Sequence, residues 1–147
     1  MRVKGKFYRT AVRPAMLYGS ECWAARKDHV QKLCVAEMRM LRWMCGKTKK
    51  DKIRNEHIRR NVGVVPLALK LRENRLRWYG HVNRRSSSAP VRRCDSIQLD
   101  KSRRTRGRPK MRWLDVIKND MNILHLSANL AMDRAQWRDR IHVADPC

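Results

Sequence analysis

Val30, Leu33, Cys34, Leu41 and Met44 fall mostly at three- and four-residue intervals, so one face of this stretch is apolar. Lys32, Arg39 and Arg42 interleave with that face. The pattern predicts a long helix capped by Asp28, ending near Cys45 and stopped by Gly46. Upstream, residues 5–20 mix apolar and basic positions around Pro14, which kinks a helix or begins a new one, and Gly19 and Ser20 mark a break. Asn55 reads as the cap of a short helix through Asn61, stopped by Gly63. Pro66 suits the first turn of a helix running to about Arg85, although Leu67, Leu71, Leu76, Trp78, Tyr79 and Val82 make no single stripe. Pro109 opens a predicted helix through Leu124, with Trp113, Ile117, Met121 and Leu124 on one side. A last helix over residues 129–143 buries Leu130, Trp137 and Ile141. Trp43, Trp113 and Trp137 are expected to pack in cores, and packing is also favoured for Trp78 and Tyr79.

No period-two alternation of useful length and no internal repeat occurs. The expected fold is all-α, about five or six loosely packed helices with a basic flexible linker. The linker is placed at residues 86–108, where serines, Pro90 and a run of arginines offer little to bury. The organisation expected is an N-terminal piece (1–23), a basic helical region (24–85), the linker (86–108) and a C-terminal helical segment (109–147). The longest stretch without charge, residues 121–132, is far short of the ~20 apolar residues a membrane span needs, so no membrane partner is expected.

Charge changes the picture most. Of 147 residues, 36 are Lys or Arg and 13 are Asp or Glu, for a formal charge of +23. Such an excess repels itself in a compact chain and is relieved by a polyanion, with nucleic acid the first candidate. Residues 1–112 hold 32 basic and 8 acidic residues, whereas residues 113–147 hold 4 and 5, so the tail reads as a neutral packing segment. The first residues lack the apolar core of a secretory signal, which sets the expectation of an intracellular protein, in nucleus or cytoplasm, with Cys22, Cys34, Cys45, Cys94 and Cys147 as free thiols.

The candidate contacts are phosphate-binding cations. Lys47, Lys49, Lys50 and Lys52 form a basic loop, and Arg84 and Arg85 a basic pair. The sharpest local motif is Arg106, Gly107, Arg108 and Pro109, flanked by Arg103, Arg104 and Lys110. It resembles the core of an AT-hook, whose extended backbone lies in the narrow minor groove of A·T-rich DNA, with Gly allowing close approach. Thr105 departs from the proline common there.

Catalytic and metal chemistry find little support. There is no Cys-x-x-Cys, the five histidines are dispersed, and no metal or cofactor is expected. Two-metal phosphoryl transfer needs clustered carboxylates, yet the closest acidic pairs (Asp51/Glu56, Asp95/Asp100, Asp115/Asp120) are five residues apart, about 140° around a helix.

Five phrases, read in order, carry a resemblance. They are residues 6–23 (KFYRTAVRPAMLYGSECW), 36–46 (AEMRMLRWMCG), 75–84 (RLRWYGHVNR), 106–113 (RGRPKMRW) and 130–137 (LAMDRAQW). Together they resemble the end of the thumb and the post-polymerase region of non-LTR (LINE-type) retrotransposon polyproteins, over residues 5–143. The resemblance implies descent from an RNA-directed DNA polymerase. It also implies contact with template RNA or target DNA and with upstream reverse transcriptase domains. The family's Tyr-x-Asp-Asp loop and its endonuclease are absent here, so the expectation is a non-catalytic nucleic-acid-binding fragment. The alternatives are an accessory part of a reverse transcriptase supplied in trans, or a remnant without selected function.

Overall fold

The computed structural model describes residues 2–96 and 111–146. Among these, every regular element is helical. Helix α1 (Arg2–Phe7) runs through a π-helical turn (Tyr8–Val12) into α2 (Arg13–Leu17). Pro14 sits in the first turn of α2 and has no N–H to return to the preceding turn; the wider π turn lies where that bond would be lost. The rod ends at Gly19, whose φ of +71° turns the chain into a short 3-10 segment (Ser20–Cys22).

Helix α3 (Lys27–Met44) follows, its cap two residues earlier than expected. Arg26 occupies the capping position and Asp28 lies inside the first turn, 2.8 Å from the Arg26 guanidinium. Helix α4 (Asn55–Val62) ends at Gly63, whose left-handed backbone (φ +72°) lets its own N–H and that of Val64 reach the Arg59 carbonyl. Helix α5 (Leu67–Asn83) begins directly after Pro66. Helix α6 (Pro90–Ser96) occupies seven residues of the segment read as linker. Helix α7 (Trp113–Ile123) presents the expected apolar face but begins at Trp113, with an extended Arg112 as its cap, rather than opening at Pro109. The single helix expected over 129–143 is two pieces: a 3-10 segment (Ala128–Met132) and α8 (Arg134–Ile141). Asp133 divides them, its carboxylate accepting from the Ala135 and Gln136 N–H groups as a side-chain cap.

Helix α5 is the axis of the molecule, touching α3, α6, α7, α8 and both 3-10 segments. It buries Leu67, Leu71, Glu73, Arg75, Leu76, Gly80 and Val82. A helix covered on several sides has no one apolar stripe, which accounts for the irregular pattern seen in the sequence. Three small apolar clusters surround it. One joins Tyr8, Met38, Leu41, Ile58, Val62 and Val64; a second joins Leu17, Leu67 and Leu71; the third holds Leu76, Ile117, Met121, Leu126, Ala131, Trp137 and Ile141. Trp137 is buried and Trp113 packs against the third cluster, but Trp43 is 82% exposed, against expectation.

Buried charges link the clusters. Glu37 on α3 is fully enclosed, accepting from the Tyr8 hydroxyl (2.9 Å) and the Leu67 N–H (3.3 Å), with the Arg59 guanidinium 3.5 Å away. Burial, and then the Glu37 charge, push the Tyr8 hydroxyl far above its usual range. Arg75 on α5 holds Asp120 on α7 at 2.7 Å, with both side chains buried. Arg13 grips Asp145 through two parallel hydrogen bonds, and Asp145 also accepts from the Val65 N–H. Glu73 binds Lys70 at 2.8 Å, and Lys70 also donates to the Val143 carbonyl. The last residues are thereby strapped across α2 and α5.

Candidate nucleic-acid interface

The last turns of α5 and the whole of α8 face each other across a cleft of about 540 Å³. Arg77 and His81 come from α5, four residues apart, Arg84 is its C-terminal cap and Arg85 follows directly. Arg134 and Arg138 come from α8, four residues apart and on one side. Trp137 and Ile141 supply apolar wall between them. Among the described residues the lining holds five arginines and a histidine, and no carboxylate.

Local packing sets this geometry. Trp137 donates its ring N–H to the Leu76 carbonyl at 2.9 Å, pinning α8 to α5. Gly80 makes the approach possible: a Cβ there would stand 2.6 Å from the Trp137 ring nitrogen. Arg84 reaches across to the Ala131 carbonyl at 2.6 Å, so one of its nitrogens serves the fold while the side chain still borders the cleft. Arg77 shares its charge with Glu73. Arg134 and Arg138 are exposed.

A second cleft of about 370 Å³ adjoins the first, lined by Glu21, Asn74, Arg77, Trp78 and His81. The Trp78 and His81 rings stack along α5, centroids 5.3 Å apart and planes 20° apart. Arg85 donates to His81 Nε2 at 3.3 Å.

Of the cations expected from sequence, Arg84 and Arg85 enter the cleft and the four lysines do not. Lys47, Lys49, Lys50 and Lys52 are all exposed on the loop between α3 and α4. That loop is ordered from within. Arg42 donates to the Thr48 and Ile53 carbonyls and to the Asn55 side chain, while the Asp51 carboxylate accepts from Thr48. The Thr48 backbone N–H, then the Thr48 hydroxyl, hold the Asp51 carboxyl below its ordinary range. The exposed Trp43 lies in the last turn of the helix leading into this loop. Arg103, Arg104, Arg106, Gly107, Arg108, Pro109 and Lys110 lie outside the described residues. Sequence reasoning passed over Arg77, His81, Arg134 and Arg138. The available signal was the four-residue spacing of each pair.

Burial pushes the Cys34 and Cys45 thiols up, away from the thiolate a nucleophile needs. Among the described residues no group of three His, Cys, Asp or Glu side chains could hold a metal ion, and no helix is long and apolar enough to cross a membrane.

A Caenorhabditis elegans protein named as transposon-derived and uncharacterized is 23% identical to this chain over 148 residues. The match takes in 92% of this chain and 53% of that protein, so the chain spans about half the length of the curated relative it matches. No family model matches the chain, and no solved structure matches it.

Proposed function

We propose that this chain is a non-catalytic nucleic-acid-binding piece of a non-LTR retroelement polyprotein, and that it holds backbone phosphates in the arginine cleft between α5 and α8. The observation that carries this reading is the lining of that cleft, five arginines and a histidine without a carboxylate. Guanidinium groups suit phosphate because their planar fork donates two parallel hydrogen bonds and stays charged at any physiological pH. Each phosphate neutralised releases condensed counterions, giving affinity without reading sequence. The exposed lysine loop at 47–52 adds a second contact of the same kind. Similarity to a transposon-derived protein supports the origin, and the phrases at residues 6–23 and 75–84 support the non-LTR class.

Titrating the chain with an oligonucleotide over a series of salt concentrations tests this. Affinity is expected to fall steeply with salt. Replacing Arg134→Ala and Arg138→Ala together should flatten the slope of log K against log salt by about 2. Both side chains are exposed, so the variant should fold. An unchanged slope in the double variant would remove the cleft from the interface, and no binding at low salt would leave an inert remnant.

A further inference from the structure

We infer that the two adjoining clefts on α5 together hold one nucleotide of a single-stranded nucleic acid, its phosphate among the arginines and its base beside Trp78 and His81. The inference rests on the phosphate-binding reading of the first cleft and adds what the second one does. Arg77 and His81 line both spaces, so a ligand passing from one to the other crosses from a lining with five arginines and no carboxylate to one with a single arginine beside Trp78, Asn74 and Glu21. That is the polarity of a nucleotide: charged at one end, flat and apolar-faced at the other. Both volumes, about 540 and 370 Å³, fall in the ~300–1,000 Å³ range of small-molecule pockets.

The second cleft has what a base needs and what a phosphate does not. Trp78 is half-buried and already stacked on His81, so little side-chain freedom is lost when a further ring joins. Asn74 offers both donor and acceptor to a base edge. Glu21 offers an acceptor for an exocyclic amine, and its charge repels phosphate, which fixes the direction of the ligand. A base stacked in a duplex cannot turn its face to a side chain without leaving the stack, which favours a single strand. Aromatic stacking with charge beside it is the usual grammar of single-strand binding.

The experiment compares the full chain binding a short single strand, with 2-aminopurine at its centre, and the blunt duplex of the same sequence, each over the same series of salt concentrations. The single strand is expected to bind about tenfold more tightly, with 2-aminopurine emission falling on binding. Trp78→Leu should abolish the emission change and the tenfold preference, leaving salt-dependent duplex binding in place. Equal affinity for the two forms with no emission change overturns the nucleotide inference, and if salt dependence persists the phosphate reading stands. Loss of salt dependence in the unmodified chain would sink both. Because Trp78 is half-buried, a test without substitution accompanies these: photo-crosslinking of a single strand carrying 4-thiouridine. Adducts on the peptide containing Trp78 and His81 support the inference, and adducts confined to other peptides overturn it.

Discussion

At the scale of single residues, Gly80 shows how little room separates α5 from α8. A methyl group there would meet the Trp137 ring at 2.6 and 2.8 Å, and Trp137 is among the largest buried side chains of the molecule. Alanine is the better helix former by up to about 1 kcal/mol, but forcing atoms into packed space costs about 1–3 kcal/mol. Gly80→Ala is therefore expected to destabilise the chain by about 1–2 kcal/mol, read as a lower urea midpoint. Its nucleic-acid affinity should fall as α8 is displaced. This constraint was invisible in the sequence, where Gly80 was one neighbour among many of Trp78 and Tyr79, because it depends on a residue 57 positions away. Trp43 shows the opposite failure. It stands two residues after the buried Leu41, about 200° around the helix, so the geometry that buries Leu41 turns Trp43 outward. Apolar identity suggested a core residue where angular position did not.

At the scale of elements, α3, α4, α5 and the apolar face of α7 were legible because glycines, prolines and apolar periodicity act locally, whereas the starts of α3 and α7 were misplaced. The split of the last helix was missed because Asp133 looked like one more polar position, and capping is decided by where the backbone turns. The arginines of α8 were passed over because a net charge near zero in the final segment hid two cations at one-turn spacing. The strap at the end of the chain carries a pH prediction. Burial opposes ionisation of Asp145 and is the largest single influence on it, but the Arg13 hydrogen bonds, the Val65 N–H and the Arg13 and Lys70 charges together outweigh it. Its carboxyl therefore lies below the usual value of ~4. A carboxyl depressed in the folded state adds stability that is present at neutral pH and lost as pH falls below ~4 towards the folded value. Asp145→Asn should be less stable than the parent at pH 7, and the difference should shrink as the medium is acidified. Urea melts at several pH values check this, and a constant difference would count against the clasp.

At the scale of the whole molecule, three small apolar clusters and a set of enclosed ion pairs hold together a chain of charge +23. The all-helical architecture followed from periodicity alone. The use of so many cations inside the fold did not, because composition counts charges without saying which are already paired. The pairs Arg13–Asp145, Arg59–Glu37 and Arg75–Asp120 sit within the structure, while the cations on its surface still repel one another. Added salt screens that repulsion beyond a Debye length, ~10 Å at 0.1 M. Raising salt is therefore expected to raise the melting temperature by a few degrees, about what 1 kcal/mol of relief gives, while weakening nucleic-acid binding. A melting temperature that falls with salt would mean that exposed attractions, not repulsions, dominate the surface.

The clasp between Arg13 and Asp145 joins residues 132 positions apart in the chain. At ~5–20 residues per second, a ribosome completes Asp145 roughly 7–25 s after Arg13. For that interval α2 and the start of α5 must wait for the group that straps them together. The finished arrangement thus waits until Asp145 has been made, and a nascent chain paused before that residue would present Arg13 and the Val65 N–H to whatever lay nearby.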